Sequence, residues 1–511
     1  MGKNAKIIIF SLIAIAVLGG VAAVLMLTAP EKTEQPENNE FAQPSSSSDG
    51  VQLKLCSREE ADVSMIEVTN DSGSYTIKPS GSTDADGGII WTVDGLEEAP
   101  LDNSVISTAV GYACTVDAKE FAETLSDPSD LAKYGLDEPA ATVKTIFSDG
   151  SDFTFMLGDS VPNVTTAVYM TPDRENIYTA YVSRTSVFSE NKLTYVSRAV
   201  TPAYDQSAGE EVIKLTVERS DLEEPIVIDF IPEGEGEEVH VYSYRMTSPY
   251  SAYIDFTDGT GFVYSPFGLT ASTVLDVGIG ETEMNATGMN DPTCKISVVS
   301  NIRSFDVTVG NPIYNTVTGE DGVDREVLQG YYGISGEHPG VMYFFEAGSV
   351  AAVTTDPAKI LSKLFLMPYI LSLESVEYSD NTGRSVAIGI ERIPSENEDE
   401  KDSENYYVNG ELWDTQQVKN LYQYFISAAG EELYLDEDRG DFIAEIVYNY
   451  RDKSQGIGGK DTVRFYSSNT DRKVIISMNG ENLFKTRQMY ATQLLANITS
   501  FLDGGEIIST Y

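Results

Sequence analysis

Two stretches of this chain repeat the same ordered set of turn signals, and that repetition limits its architecture more than any other feature. Gly135-Leu136-Asp137-Glu138-Pro139 is echoed by Gly288-Met289-Asn290-Asp291-Pro292. Each is followed by a β-rich run, a turn, and a strand ending in Leu157-Gly158-Asp159 or Val309-Gly310-Asn311. Pro162 or Pro312 comes next, then a tyrosine-bearing run, Val168-Tyr169-Met170 or Tyr331-Tyr332-Gly333, and finally Ile177-Tyr178 or Met342-Tyr343. Repetition at this spacing marks a chain built from copies of one supersecondary unit.

A third, more degraded copy follows. Ile66-Glu67-Val68-Thr69-Asn70-Asp71 resembles Val376-Glu377-Tyr378-Ser379-Asp380-Asn381, and Val93-Asp94-Gly95 resembles Val408-Asn409-Gly410. The expected fold class is α+β: tandem modules of mainly antiparallel sheet with packed helices, over residues 64–200, 210–355 and 372–511. The chain has 511 residues, in keeping with about three domains. Its 41% hydrophobic content is enough for each copy to bury a core.

Local signals fill in the modules. Asn70-Asp71-Ser72-Gly73 between two β-rich runs predicts a hairpin. Asn103 or Ser104 is the expected cap of a helix facing the core with Val105, Ile106, Ala109 and Val110. In the third copy a helix over 416–428 presents Val418, Leu421, Tyr422 and Phe425, and a last helix runs over 488–501. The connection 356–371 contains Ile360, Leu361, Leu364, Phe365 and Leu366. It is too apolar for a free linker, and a helix packed between modules is expected there, making a stiff array.

The N-terminus reads as a membrane anchor. Residues 7–29 carry no charge, and at ~1.5 Å rise per residue they are long enough for a hydrocarbon core of ~30 Å. Lys3 and Lys6 precede them while Glu31, Glu34, Glu37 and Glu40 follow, which places residues 1–6 in the cytoplasm and the bulk of the chain outside. Cleavage near Ala29 is the alternative to a retained anchor. Residues 30–63 read as a disordered stalk and lead-in, and 394–404 as an acidic surface loop.

The formal charge is −46, from 34 basic and 80 acidic residues, a field that repels phosphate backbones and excludes nucleic acid as a partner. Three cysteines, Cys56, Cys114 and Cys294, and two histidines, His240 and His338, are too few and too dispersed for a structural zinc site. Cys56 and Cys114 either pair outside the cytoplasm or remain free thiols. The densest carboxylate groups, Asp84 with Asp86 and Asp436-Glu437-Asp438 with Asp441, lack the calcium-loop pattern and read as solvated loops. Asp137 and Asp159 read as turn residues, with a ligand site as the lesser alternative. No nucleophile elbow, zinc-protease motif, P-loop or dinucleotide fingerprint occurs. The residues therefore nominate no catalytic, cofactor-binding or metal-binding residues, and no cofactor.

Over Leu131-Ala132-Lys133-Tyr134-Gly135-Leu136-Asp137-Glu138-Pro139, with Ser148-Asp149-Gly150-Ser151 and Leu157-Gly158-Asp159 after it, the chain resembles the DUF 4340 family, a bacterial domain family of unknown function. The resemblance covers roughly 94–189. It is weaker in the second copy, where Asn290 and Asn311 replace the two aspartates. It implies an anchored, extracytoplasmic protein that accompanies ABC-transporter components of the gliding-motility auxiliary type. No catalytic residues are established for the family, so none transfer. The expected function is a non-enzymatic accessory or scaffold of a transporter or cell-envelope complex, with the membrane and protein subunits as partners. The alternative is an extracellular glycan- or peptide-binding module, with or without carboxylate-based hydrolysis.

Overall fold

Alternation of buried and exposed residues dominates the described chain, as in Ala141–Phe147 and Phe442–Tyr450, where every second side chain enters the core. That period of two is what a sheet covered on one face requires. The computed structural model describes residues 53–231, 242–319, 321–394 and 403–508. The expected anchor at 7–29, most of the stalk, and 395–402 of the acidic loop lie outside them. Among the described residues no helix is long and apolar enough to cross a membrane.

Three large antiparallel sheets follow one another along the chain, of eight, nine and nine strands. The first strand of each, Val63–Asn70, Val212–Arg219 and Leu373–Asp380, lies inside its sheet rather than at an edge. The second and third strands extend the sheet on one side. On the other side the fifth strand, Ala141–Phe147, Cys294–Ser300 or Phe442–Tyr450, pairs with the first and starts a four-strand meander. The fourth strand crosses over to the far edge and pairs with the eighth; these edge strands are Glu120–Thr124, Thr273–Val277 and Glu432–Leu433. Strand order is therefore the same in all three sheets, apart from one extra two-residue edge strand in the second and third.

A local irregularity is shared as well. The pairing of first with fifth strand slips between Val63 and Met65, between Val212 and Lys214, and between Leu373 and Ser375. A bulge at the second residue of the same strand in three sheets marks a common design rather than three separate accidents.

Between the third and fourth strands each module inserts a helix: Asn103–Cys114, Asp258–Tyr264 and Thr415–Ile426. The first packs Ile106, Ala109, Val110 and Ala113 inward, and the last packs Val418, Leu421, Tyr422 and Phe425. The cap of the first helix is Asp102, one residue ahead of the expected Asn103 or Ser104. Its Oδ1 accepts from the Ser104 and Val105 amides at 3.1 and 3.2 Å. A carboxylate satisfies two of the orphan donors at the helix start.

Two further expectations are corrected. Residues 356–371 do not form an α-helix. Pro357–Ile360 is a short 3-10 turn and Ile370–Ser372 another, with irregular chain between them. Pro368 blocks a helix at that point, and the backbone is claimed by the second module instead. The Ser362 amide donates to the Tyr253 carbonyl at 2.9 Å, and the Asp255 amide donates to the Ile360 carbonyl at 2.8 Å. The end of the lead-in is ordered too, since Leu53–Lys54 pairs with Asp117–Ala118. The joint between the first two modules is likewise bonded, through Val200 N–H to the Leu269 carbonyl at 2.8 Å and the Thr201 hydroxyl to the Pro266 carbonyl at 2.7 Å. A single buried apolar cluster draws on all three sheets.

Candidate functional site

The repeated glycine motif is structural. Gly135 and Gly288 take φ of +64° and +77°, each just after a short helical segment, Pro128–Tyr134 and Glu281–Ala286. Only glycine adopts that conformation without strain. The chain then lays Leu136 or Met289 against Gly158 or Gly310. A Cβ on Gly158 would collide with the Tyr134 carbonyl oxygen, and one on Gly310 with the Thr287 carbonyl oxygen. The meander bulges at the same point in both modules, between Leu157 and Ser160 and between Val309 and Pro312. Asp159 and Asn311 lie against the two left-handed glycines. Asp159 lies near the end of the strand Asp152–Ser160, against the Gly135 turn, rather than in the turn expected for it, and Asp137 is exposed.

The other carboxylate groups read from sequence also close loops. Asp84 Oδ1 accepts from the Asp86 and Gly88 amides at 3.0 and 2.7 Å. Asp438 accepts from Asn469 at 2.8 Å. Among the described residues no three His, Cys, Asp or Glu side chains come together as metal ligands. Cys56, Cys114 and Cys294 are free thiols. Burial pushes the Cys294 thiol up to about 12.

The buried acids of the described residues are Asp117, Glu210, Asp380 and Asp461, and three of them are well satisfied. Glu210 accepts from Arg303 Nε and from the Ser300 hydroxyl, both at 2.9 Å, and from the Asp205 amide at 2.9 Å. Burial pushes its carboxyl up, but the Asp205 amide, the Ser300 hydroxyl and Arg303 outweigh it and hold Glu210 below the ordinary range. Asp380 accepts from the Tyr378 hydroxyl at 2.9 Å and from the Thr382 amide at 2.8 Å. Asp461 accepts from the Tyr450 hydroxyl and from Asn479, both at 2.8 Å.

Asp117 is the exception. It is 7% exposed, its Oδ1 has no hydrogen-bond partner, and its Oδ2 faces Arg184 Nη1 at a long 3.5 Å. A buried carboxylate oxygen with no donor is costly, and such groups call for an explanation. Asp117 also lines a cleft of about 300 Å³, together with Thr108, Gly111, Tyr112, Thr115 and Arg184.

Four elements build this cleft. Asp117 is held by the two-strand pairing with Leu53–Lys54. Thr108, Gly111 and Tyr112 come from the last two turns of the helix Asn103–Cys114, and Thr115 is its cap. Arg184 sits in the first turn of the helix Val182–Ser189. The Tyr112 ring packs edge-on to Phe155, and its hydroxyl donates to the Asp117 carbonyl at 3.2 Å, fixing the wall. Sequence reasoning missed this site because Asp117 belongs to no motif: an isolated Thr-Val-Asp-Ala does not announce a buried acid.

The family model described as "Domain of unknown function (DUF4340)" matches residues 91–291. The resemblance seen at Leu131–Pro139 therefore holds, and this part of the chain belongs to that family. The matched span starts in the third strand of the first sheet, crosses the first joint, and ends just before the fifth strand of the second sheet. It contains the Asp117 cleft. No curated protein and no solved structure matches the chain.

Proposed function

We propose that this protein is a membrane-anchored, extracytoplasmic, non-enzymatic accessory or scaffold of an ABC-transporter or cell-envelope complex. The observation that carries this reading is the succession of three sheets of one strand order, bonded backbone to backbone at their joints and sharing a buried core. Modules joined in this way hold binding surfaces in fixed register, which is what a scaffold needs. The uncharged segment 7–29 supplies the anchor, and the −46 charge keeps the exposed region soluble. Affinity capture of the full-length protein from native membranes in mild detergent, read by mass spectrometry, is expected to recover transporter or envelope subunits in stoichiometric amounts. Repeated recovery of the bait alone would contradict the proposal.

A second reading, a glycan- or peptide-binding module, draws on one observation: the cleft that holds the unsatisfied Asp117 carboxylate. Binding to glycan arrays and to peptidoglycan peptides separates its two branches.

A further inference from the structure

The Asp117 cleft presents opposite charges a short distance apart. One wall carries Asp117, with an oxygen that receives no hydrogen bond. The rim carries Arg184, whose side chain is 46% exposed and whose contact with Asp117 is long. A well-formed Arg–carboxylate pair is bidentate at 2.7–2.9 Å. This one is neither, so each partner keeps hydrogen-bonding capacity for something else.

The helices add to the pattern. The C-terminal turns of Asn103–Cys114 line the cleft, and a helix C-terminus favours a positive charge. Arg184, in the first turn of Val182–Ser189, lines the cleft as well, and a helix N-terminus favours a negative charge. Arg184 is itself a cation in that first turn, the end of a helix where a cation is disfavoured.

We propose that this cleft binds a small zwitterion with an ammonium and a carboxylate a few ångströms apart, the chemistry of a free α-amino acid. The ammonium donates to Asp117, and the carboxylate accepts from the Arg184 guanidinium. The Arg184 guanidinium, half-exposed at the rim, meets the ligand carboxylate. A volume of about 300 Å³ suits a small amino acid. The inference concerns the cleft alone and stands or falls apart from the scaffold reading.

The test is isothermal titration of full-length protein in detergent micelles with glycine and L-alanine. Methylammonium, acetate and glucose serve as one-group and uncharged probes. Saturable binding of an amino acid is expected, with methylammonium and acetate at least tenfold weaker. D117N and R184Q are each expected to weaken amino-acid binding at least tenfold, and D117N should melt no lower than the wild type, since it removes a poorly satisfied buried charge. If D117N fails to fold, R184Q, a change at the half-exposed rim, decides the matter. Equal binding by variants and wild type, no amino-acid binding by the wild type, or binding of glucose alone would each overturn the proposal.

Discussion

At the scale of single residues, the chain's most recognisable motif turns out to serve packing, and the poorly satisfied buried acid Asp117 is silent in sequence. Gly158 and Gly310 are required because a backbone carbonyl occupies the place of a Cβ, and backbone cannot yield as a flexible side chain can. G158A and G310A are each expected to lower stability by about 1–3 kcal/mol, as overpacking does. G150A is the control: Gly150 has φ +84° but nothing within 4 Å, so only backbone strain remains, on the order of 1 kcal/mol. Thermal melts of the three variants check the ordering. The motif was legible because turn chemistry uses few residue types at fixed offsets. Asp117 was not, because its oddness lies in missing partners contributed by segments far apart in the chain.

At the scale of elements, alternation revealed the core strands and hid the edges. Ala141–Phe147, Phe442–Tyr450 and the hairpin at Asn70–Gly73 follow directly from the pattern. The fourth strand, Glu120–Thr124, was missed because it is exposed throughout, with Phe121 50% exposed, and so has no buried face to write a period of two. The apolar segment 356–371 misled in the opposite direction. Its hydrophobicity serves a bonded joint made of irregular chain and short 3-10 turns rather than an α-helix.

The hairpin ends of the first and third modules match closely. Asn70 Oδ1 accepts from the Ser72 amide at 2.8 Å, and Asp380 Oδ1 accepts from the Thr382 amide at the same distance. Burial pushes the Asp380 carboxyl up, but the Thr382 hydroxyl, the Tyr378 hydroxyl and the turn amides outweigh it and leave Asp380 below its ordinary value. A depressed carboxylate contributes stability above the unfolded-state pKa of ~3.9 and loses it as pH falls through the folded value. D380N, which installs the residue that the first module uses, is expected to flatten the fall in melting temperature between about pH 5 and about pH 3. A pH series of melts on wild type and variant reads this directly, and an unchanged slope would contradict it.

At the scale of the whole molecule, the repeat was visible as a series of turns, but its topology was not. Turn residues fix where strands end; they do not say that the first strand goes inside or that the fourth crosses to the far edge. Those choices follow from which pairings bury the most apolar surface, which is a property of the assembled sheet. The scaffold reading depends on this level, since three copies of one strand order joined by backbone hydrogen bonds are what hold its surfaces in place. Amide hydrogen exchange on the full-length protein tests that claim most directly. Strands flanked on both sides exchange only through larger openings, whereas edge strands fray. The account predicts the slowest amides in the three first strands, at Ile66 and Val68, Leu215 and Val217, and Val376 and Tyr378, with fast exchange at Glu120–Thr124 and Glu432–Leu433. Fast exchange in the first strands together with protection of those edges would contradict it.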